Sequence, residues 1–171
     1  MNEMQLVKYA RAGDKQAFVA LYSQYKDRLY RYAYYRLGNA ADAEDAVSDC
    51  VLSAFRQIGK LRRPEAFTAW LFRILHCSCI TLIEAQAAQR RMVALNSLPQ
   101  EPSTDMQAAI EKTELQEALA ILTDDERDIV LLSVVSGLTS KEIAAVTDYT
   151  AGAVRSKLSR SLAKMRKFLE G

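Results

Sequence analysis

Apolar side chains recur at steps of three and four along most of the chain. That spacing confines it to helices packed on helices. Phe18, Leu21, Tyr22, Tyr25, Leu29 and Tyr32 mark one such face. Val47, Val51, Ala54, Phe55 and Ile58 mark a second, and Phe67, Trp70, Leu71, Ile74 and Leu75 a third. Ile129, Val130, Leu132 and Val135 follow after a gap. The last stripe is Val154, Leu158, Leu162, Met165 and Leu169. Little interrupts these runs, because the 171 residues include only 6 Gly and 3 Pro. The expected fold class is all-α, with two helical domains.

The breaks between stripes carry stop and start signals. Gly13 ends a first short helix over residues 3–12, and Asp14 can cap the next one, which runs to about Leu37. Gly38-Asn39 stops it. Asp42, Glu44 and Asp45 then lie in the first turn of a third helix, where carboxylates complement the helix dipole. Pro64 suits the start of a fourth. The stretch from Leu95 to Asp105 holds two of the three prolines and has no periodicity, which predicts a linker. The expected division is 1–92, a linker over 93–106, and 107–171. An acidic helix over 105–121 should open the second unit. Thr123-Asp-Asp-Glu126 and Thr139-Ser-Lys-Glu142 both read as capping boxes.

Charge separates along the chain although the net charge is only +2. Residues 54–91 carry +5, residues 92–128 carry −7 and residues 129–171 carry +4. Two basic blocks around an acidic one suggest two surfaces that touch a polyanion. The N-terminus does not resemble a signal peptide and no uninterrupted apolar run reaches a membrane span, so a cytoplasmic protein is expected. Three cysteines, Cys50, Cys77 and Cys79, argue against a disulfide framework. His76-Cys77-Ser-Cys79 invites a metal reading, but on a helix Cys77 and Cys79 diverge by about 200°. Free thiols are expected there, with no metal and no cofactor. One His, no Gly-rich phosphate loop and no nucleophile–base cluster exclude the common enzyme classes.

The C-terminal block carries the sharpest motif. A short capped helix with Ile143, Ala144 and Val146 is followed by a four-residue turn, Thr147-Asp-Tyr-Thr150, and a last helix from about Ala151 to Leu169. Residues 151–167 include six basic side chains and no acidic one. This is a helix-turn-helix pattern with a basic second helix. The polar side of that helix suits a major groove, where Arg pairs with guanine edges while Lys and Ser hold phosphates. The candidate DNA-binding residues are Thr150, Arg155, Ser156, Lys157, Ser159, Arg160 and Lys164.

Leu138-Thr-Ser-Lys-Glu-Ile-Ala-Ala-Val146 followed by Gly152-Ala-Val-Arg-Ser-Lys-Leu-Ser-Arg160 resembles region 4 of bacterial RNA polymerase sigma factors. Asp42-Ala-Glu-Asp45 with Phe55, and Phe67-Thr-Ala-Trp-Leu-Phe-Arg-Ile74, resemble region 2. The order and the short spacer resemble the extracytoplasmic function (ECF) subfamily. The resemblance implies a region 2 bundle and a region 4 helix-turn-helix on a flexible linker, acting without catalysis. It implies that Asp42, Glu44, Asp45 and Asp49 dock on the clamp of core RNA polymerase. Lys60, Arg62, Arg63, Arg73 and His76 would serve minus-ten recognition and strand opening, while residues 107–171 read the minus-thirty-five element. Implied partners are core polymerase through its clamp and flap regions, promoter DNA and an anti-sigma factor, with no small-molecule substrate. The chain departs from the family pattern at Ser48, Cys77, Thr81 and Glu84, in or beside the minus-ten reader. Its residues also leave open a stand-alone helix-turn-helix regulator with an N-terminal helical sensor domain. Trp70 and Phe67 are expected to be core side chains.

Overall fold

A helix start leaves backbone amides without partners, and this chain supplies a side chain at nearly every one. The computed structural model describes residues 1–96 and 113–171. Helices α1 (Glu3–Arg11), α2 (Lys15–Leu37), α3 (Ala40–Gln57) and α4 (Phe67–Asn96) form an N-terminal unit. Helices α5 (Glu114–Ala120), α6 (Asp124–Val130), α7 (Ser140–Val146) and α8 (Ala151–Glu170) form a C-terminal one. No strand occurs among the described residues. Both expected capping boxes are present, at Thr123–Glu126 and Thr139–Glu142. Asn2–Gln5 and Thr113–Gln116 form two more. Gly38 and Gly137 end their helices at φ 88° and 73°, the left-handed region that favours glycine.

The N-terminal core is built on Leu21, Tyr25, Leu29 and Tyr32 of α2, with Ala46, Cys50 and Ala54 of α3 and Phe72, Leu75 and Cys79 of α4. Tyr25 and Phe67 meet edge to face at 5.4 Å. Phe67 is buried as expected, whereas Trp70 is half-buried. Burial pushes the Cys50 and Cys79 thiols up to about 12, so both are inert, while Cys77 is exposed.

Several expectations shift. The fourth helix begins as a 3-10 turn at Pro64–Ala66 before α4, and α4 continues to Asn96, past the expected linker start at 93. With its leading turn this helix is long and apolar enough, by length and composition, to cross a membrane, although Arg73 and Glu84 interrupt the run. Here its inward face lies in the bundle core. The rest of the expected linker and the start of the acidic helix lie outside the described residues. Phe55 is exposed rather than inward, its ring set edge to face on Phe18 at 5.3 Å. Leu162 and Leu169 are also exposed, and Ser161 takes the inward position between Val154 and Met165. The stripe Val154, Leu158, Ser161 and Met165 keeps the helical step and points at α6 and α7.

One local feature had no sequence signal. After α6 the backbone widens into a π-helical turn, Leu131–Val135, with the Ser136 amide donating to the Leu131 carbonyl at 3.0 Å. The Leu138 amide then closes back on the Leu132 carbonyl at 2.9 Å around Gly137.

Candidate nucleic-acid interface

The α7–turn–α8 pair builds the basic surface from the inside out. Ile143, Val146 and Val154 are buried, and the stripe they form leaves the opposite side of α8 to solvent. Thr150 caps α8 by accepting from the Ala153 amide at 3.1 Å. Arg155, Ser156, Ser159 and Arg160 are exposed and line one shallow groove. Lys157 is half-buried, its Nζ 5.0 Å from the centre of the Tyr149 ring. Tyr149 in turn donates to Asp125 Oδ2 at 2.7 Å. Lys164 lies further along the helix and donates to Glu126 Oε2 at 2.8 Å. The structure therefore gathers four of the seven candidates into one face, puts Thr150 at the cap, and ties Lys157 and Lys164 into the unit itself.

The Lys164 hydrogen bond, joined by the Thr123 amide, holds the Glu126 carboxyl down at about 2. A depressed carboxylate stabilises the fold above its unfolded value of 4.5 and loses that contribution as pH falls toward 2. Glu126→Gln should therefore be less stable than the native chain at neutral pH. The difference should vanish between about pH 4.5 and 2, as read by denaturant melts along a pH series.

On α3, Ala43, Ala46, Val47 and Cys50 face inward, so the carboxylates between them face out. Glu44, Asp45 and Asp49 are exposed. Asp42 is not free: Asn39 Nδ2 donates to it at 2.7 Å and Gln86 Nε2 at 2.8 Å. Glu44 borders Lys26 and Tyr30 on the α2 side, while Asp49 opens onto the α4 side. Leu52 and Phe55 extend this face with exposed apolar surface. Sequence reasoning missed the pair, because Phe55 fits the inward stripe and Leu52 had no assigned role.

Between α3 and α4 lies an open groove of about 670 Å³, bordered by Asp49, Trp70, Arg73, Cys77 and Thr81. Two of the family departures, Cys77 and Thr81, thus face this groove beside Arg73. Lys60, Arg62, Arg63 and Arg73 are all exposed. His76 is not grouped with them. Its side chain is 14% exposed and its Nδ1 lies 2.9 Å from the Tyr32 hydroxyl.

That hydroxyl is the middle of a buried network. Tyr32 donates to Asp128 Oδ1 at 3.0 Å, and Arg36 Nε donates to the same oxygen at 2.6 Å. A hydroxyl has one proton, so once it goes to Asp128 the His76 Nδ1–H is the donor to Tyr32. Burial lowers the His76 pKa from 6.5 and keeps the ring neutral at pH 7. Burial and the Asp128 charge hold the Tyr32 hydroxyl protonated, well above its ordinary 10.0. Burial opposes the Arg36 charge most strongly, but Asp128, Tyr32 and Asp124 together outweigh it and the guanidinium pKa is raised. A parallel contact runs from Arg28 Nε to the Ser136 carbonyl at 2.8 Å, with the guanidinium 4.9 Å from the Tyr25 ring centre.

Comparison with known proteins places both units. A family model described as Sigma-70 region 2 matches residues 21–89, and one described as Sigma-70, region 4 matches residues 112–165. The chain is 30% identical to the ECF RNA polymerase sigma factor BldN of Streptomyces coelicolor over 97% of its own length, and spans 65% of that relative. With the ECF sigma factor SigM of Mycobacterium tuberculosis it shares 30% identity over 92% of this chain and 80% of the relative. With SigW of Bacillus subtilis it shares 25% identity, over 95% and 94%. Among solved structures, CnrH in complex with the cytosolic domain of CnrY matches 98% of this chain and 97% of its own at a TM-score of 0.74 and 22% identity. The sigma factor RpoE in complex with the anti-sigma factor NepR, from Bartonella quintana, matches 90% and 96% at a TM-score of 0.69 and 22% identity. These two establish a shared fold.

Proposed function

The chain belongs to the ECF RNA polymerase sigma factors, and from that premise we propose that it directs promoter-specific transcription initiation. It does so without catalysis, by joining core polymerase in the cytoplasm and presenting two DNA-reading surfaces. The N-terminal unit docks on the clamp through Glu44, Asp45 and Asp49, with Asp42 fixing the start of α3. Lys60, Arg62, Arg63 and Arg73 serve the opened minus-ten strand, along whose phosphates exposed cations track. Residues 107–171 reach the flap and read the minus-thirty-five element through Arg155, Ser156, Ser159 and Arg160. Lys157 and Thr150 position that helix, and Lys164 adds charge at its flank. An anti-sigma factor is the expected regulator, since the RpoE relative was solved with one.

One observation carries this reading: an acidic α3 face and a basic α8 face stand in separate units that match region 2 and region 4 in order. A stand-alone regulator would account for the second match and not the first.

The test combines pull-down of core polymerase with run-off transcription. The native chain should bind core and create new start sites. Asp45→Lys with Asp49→Lys should weaken core binding at least tenfold while circular dichroism stays unchanged, because like charges at a docking face cost several kcal/mol. Native-level core binding by that double variant would remove the clamp assignment. No new start site with the native chain would remove the function.

A further inference from the structure

The connector between α3 and α4 carries three exposed cations, Lys60, Arg62 and Arg63, and has little of its own to hold them in place. It consists of two 3-10 turns, Ile58–Lys60 and Pro64–Ala66, joined by residues 61–63. Among the described residues neither turn has a side-chain cap. The Leu61 amide donates to the Ile58 carbonyl at 3.1 Å and the Ala66 amide to the Arg63 carbonyl at 3.0 Å. Of residues 58–66, Ile58 and Leu61 are buried. A segment with so few internal bonds takes its shape from what it lies on.

That support is α1, which packs on both 3-10 turns. Its nine residues, about 13 Å of helix, touch the connector at each end. At the C-terminal end of α1, the Arg11 carbonyl oxygen lies 3.9 Å from the point where a side chain on Gly59 would begin. At its N-terminal end, Tyr25 donates to Glu3 Oε1. The Tyr25 oxygen, its one proton so used, accepts from Thr68 in the first turn of α4 at 2.6 Å. Burial, with the Glu3 hydrogen bond, pushes the Tyr25 hydroxyl up to about 12, so it stays a donor at neutral pH. Leu6, Val7 and Ala10 are buried between these two fixings.

We propose that α1 is a brace for the basic connector: through Glu3–Tyr25–Thr68 at one end and Arg11–Gly59 at the other it fixes where Lys60, Arg62 and Arg63 stand, and so sets how tightly the opened strand is held. The last clause rests on the minus-ten role proposed above. Glu3, Tyr25 and Thr68 are positioning residues, acting through the cations. Phosphates recur at a fixed spacing along a strand, so cations held in one arrangement engage several at once. A connector released at one end keeps its charge and loses that register.

Hydrogen exchange in the free, full-length chain tests the brace without polymerase or DNA. Glu3 is exposed, and Thr68→Val keeps the shape of the side chain, so Glu3→Ala and Thr68→Val leave the core filled. Each should speed exchange of the Leu61 and Ala66 amides roughly fivefold or more, while α3 exchanges as in the native chain. Glu3→Gln keeps an acceptor oxygen for Tyr25 and should restore native exchange. The strand arm uses holoenzyme and a fluorescein-labelled single strand covering the minus-ten region of a promoter mapped with the native chain. Glu3→Ala and Thr68→Val should weaken its binding roughly fivefold and lower the salt slope by about 0.7, the loss of one phosphate contact. A variant that merely unfolds some chains lowers the active fraction and leaves that slope unchanged. Lys60→Ala is the reference, with the same loss of slope and native exchange at Ala66. Native exchange at Leu61 and Ala66 in both variants, or weaker strand binding at the native salt slope, would overturn the brace. A native holoenzyme that ignores the strand, with exchange as expected, would instead remove the minus-ten role and leave the brace standing.

Discussion

Replacing Phe72 with alanine is expected to cost about 3–5 kcal/mol, the range for deleting a buried aromatic ring. Phe72 is fully buried on α4. Its ring lies 6.4 Å from that of Tyr25, edge to face, and 5.6 Å from the Arg28 guanidinium. Three consequences follow from that placement. The transfer energy of the ring is lost, and a cavity opens between α2 and α4 that rigid helices fill only partly. The aromatic pair with Tyr25 goes, worth about 0.5–1.5 kcal/mol beyond area. Arg28 also loses one of the two faces against which it rests before reaching Ser136. Urea denaturation followed by circular dichroism measures the cost. Phe72→Leu should lose less than half as much, because it keeps most of the volume. A Phe72→Ala chain within 1 kcal/mol of native would mean that α4 does not pack against α2 as described.

The helices were legible because what sets them is local. Thr139 and Glu142 are three residues apart, and their reciprocal hydrogen bonds need nothing from the rest of the chain. The basic face of α8 was legible for the same reason, since four of its candidates share one side by spacing alone. The stripes gave angular position but not depth. Phe55 fits the inward stripe of α3 yet lies over the end of Phe18, and Leu162 yields its inward place to Ser161. Among the described residues, the last positions of α8, from Arg166 on, are all exposed, Leu169 of the stripe included. The network at Asp128 was not legible. Its members stand 92 and 96 residues apart in sequence, and Asp128 belongs to an acidic block that reads as solvated surface. His76 sits next to Arg73 and Cys77 in sequence, which grouped it with the strand-opening cations, whereas its place on α4 turns it toward Tyr32. The four-residue step of Arg28, Tyr32 and Arg36 was the one available signal, visible only once a partner for that face is supposed.

Arg155→Ala and Arg160→Ala should each weaken binding of the upstream promoter element by about 1–3 kcal/mol, or roughly 5- to 150-fold. Both are exposed on the groove-facing side of α8, with Ser156 and Ser159 between them. Neither makes an ion pair among the described residues. Removing them therefore deletes the proposed DNA contact without freeing an internal charge, and thermal stability should stay within about 0.5 kcal/mol of native. The two classes of contact separate by sequence dependence. An arginine on a base edge loses discrimination at one position, whereas a phosphate contact weakens all duplexes alike and reduces the salt slope by about one. Lys164 provides the internal comparison. Its ammonium is already engaged by Glu126 at 2.8 Å, so Lys164→Ala should lower affinity less than either arginine variant while lowering stability more. Holoenzyme binding to a set of single-base variants of the upstream element, measured at two salt concentrations, reads all of these at once. If both arginine variants bind that set as the native chain does, α8 does not enter the groove by this face, and the basic charge of residues 151–167 serves some other polyanion.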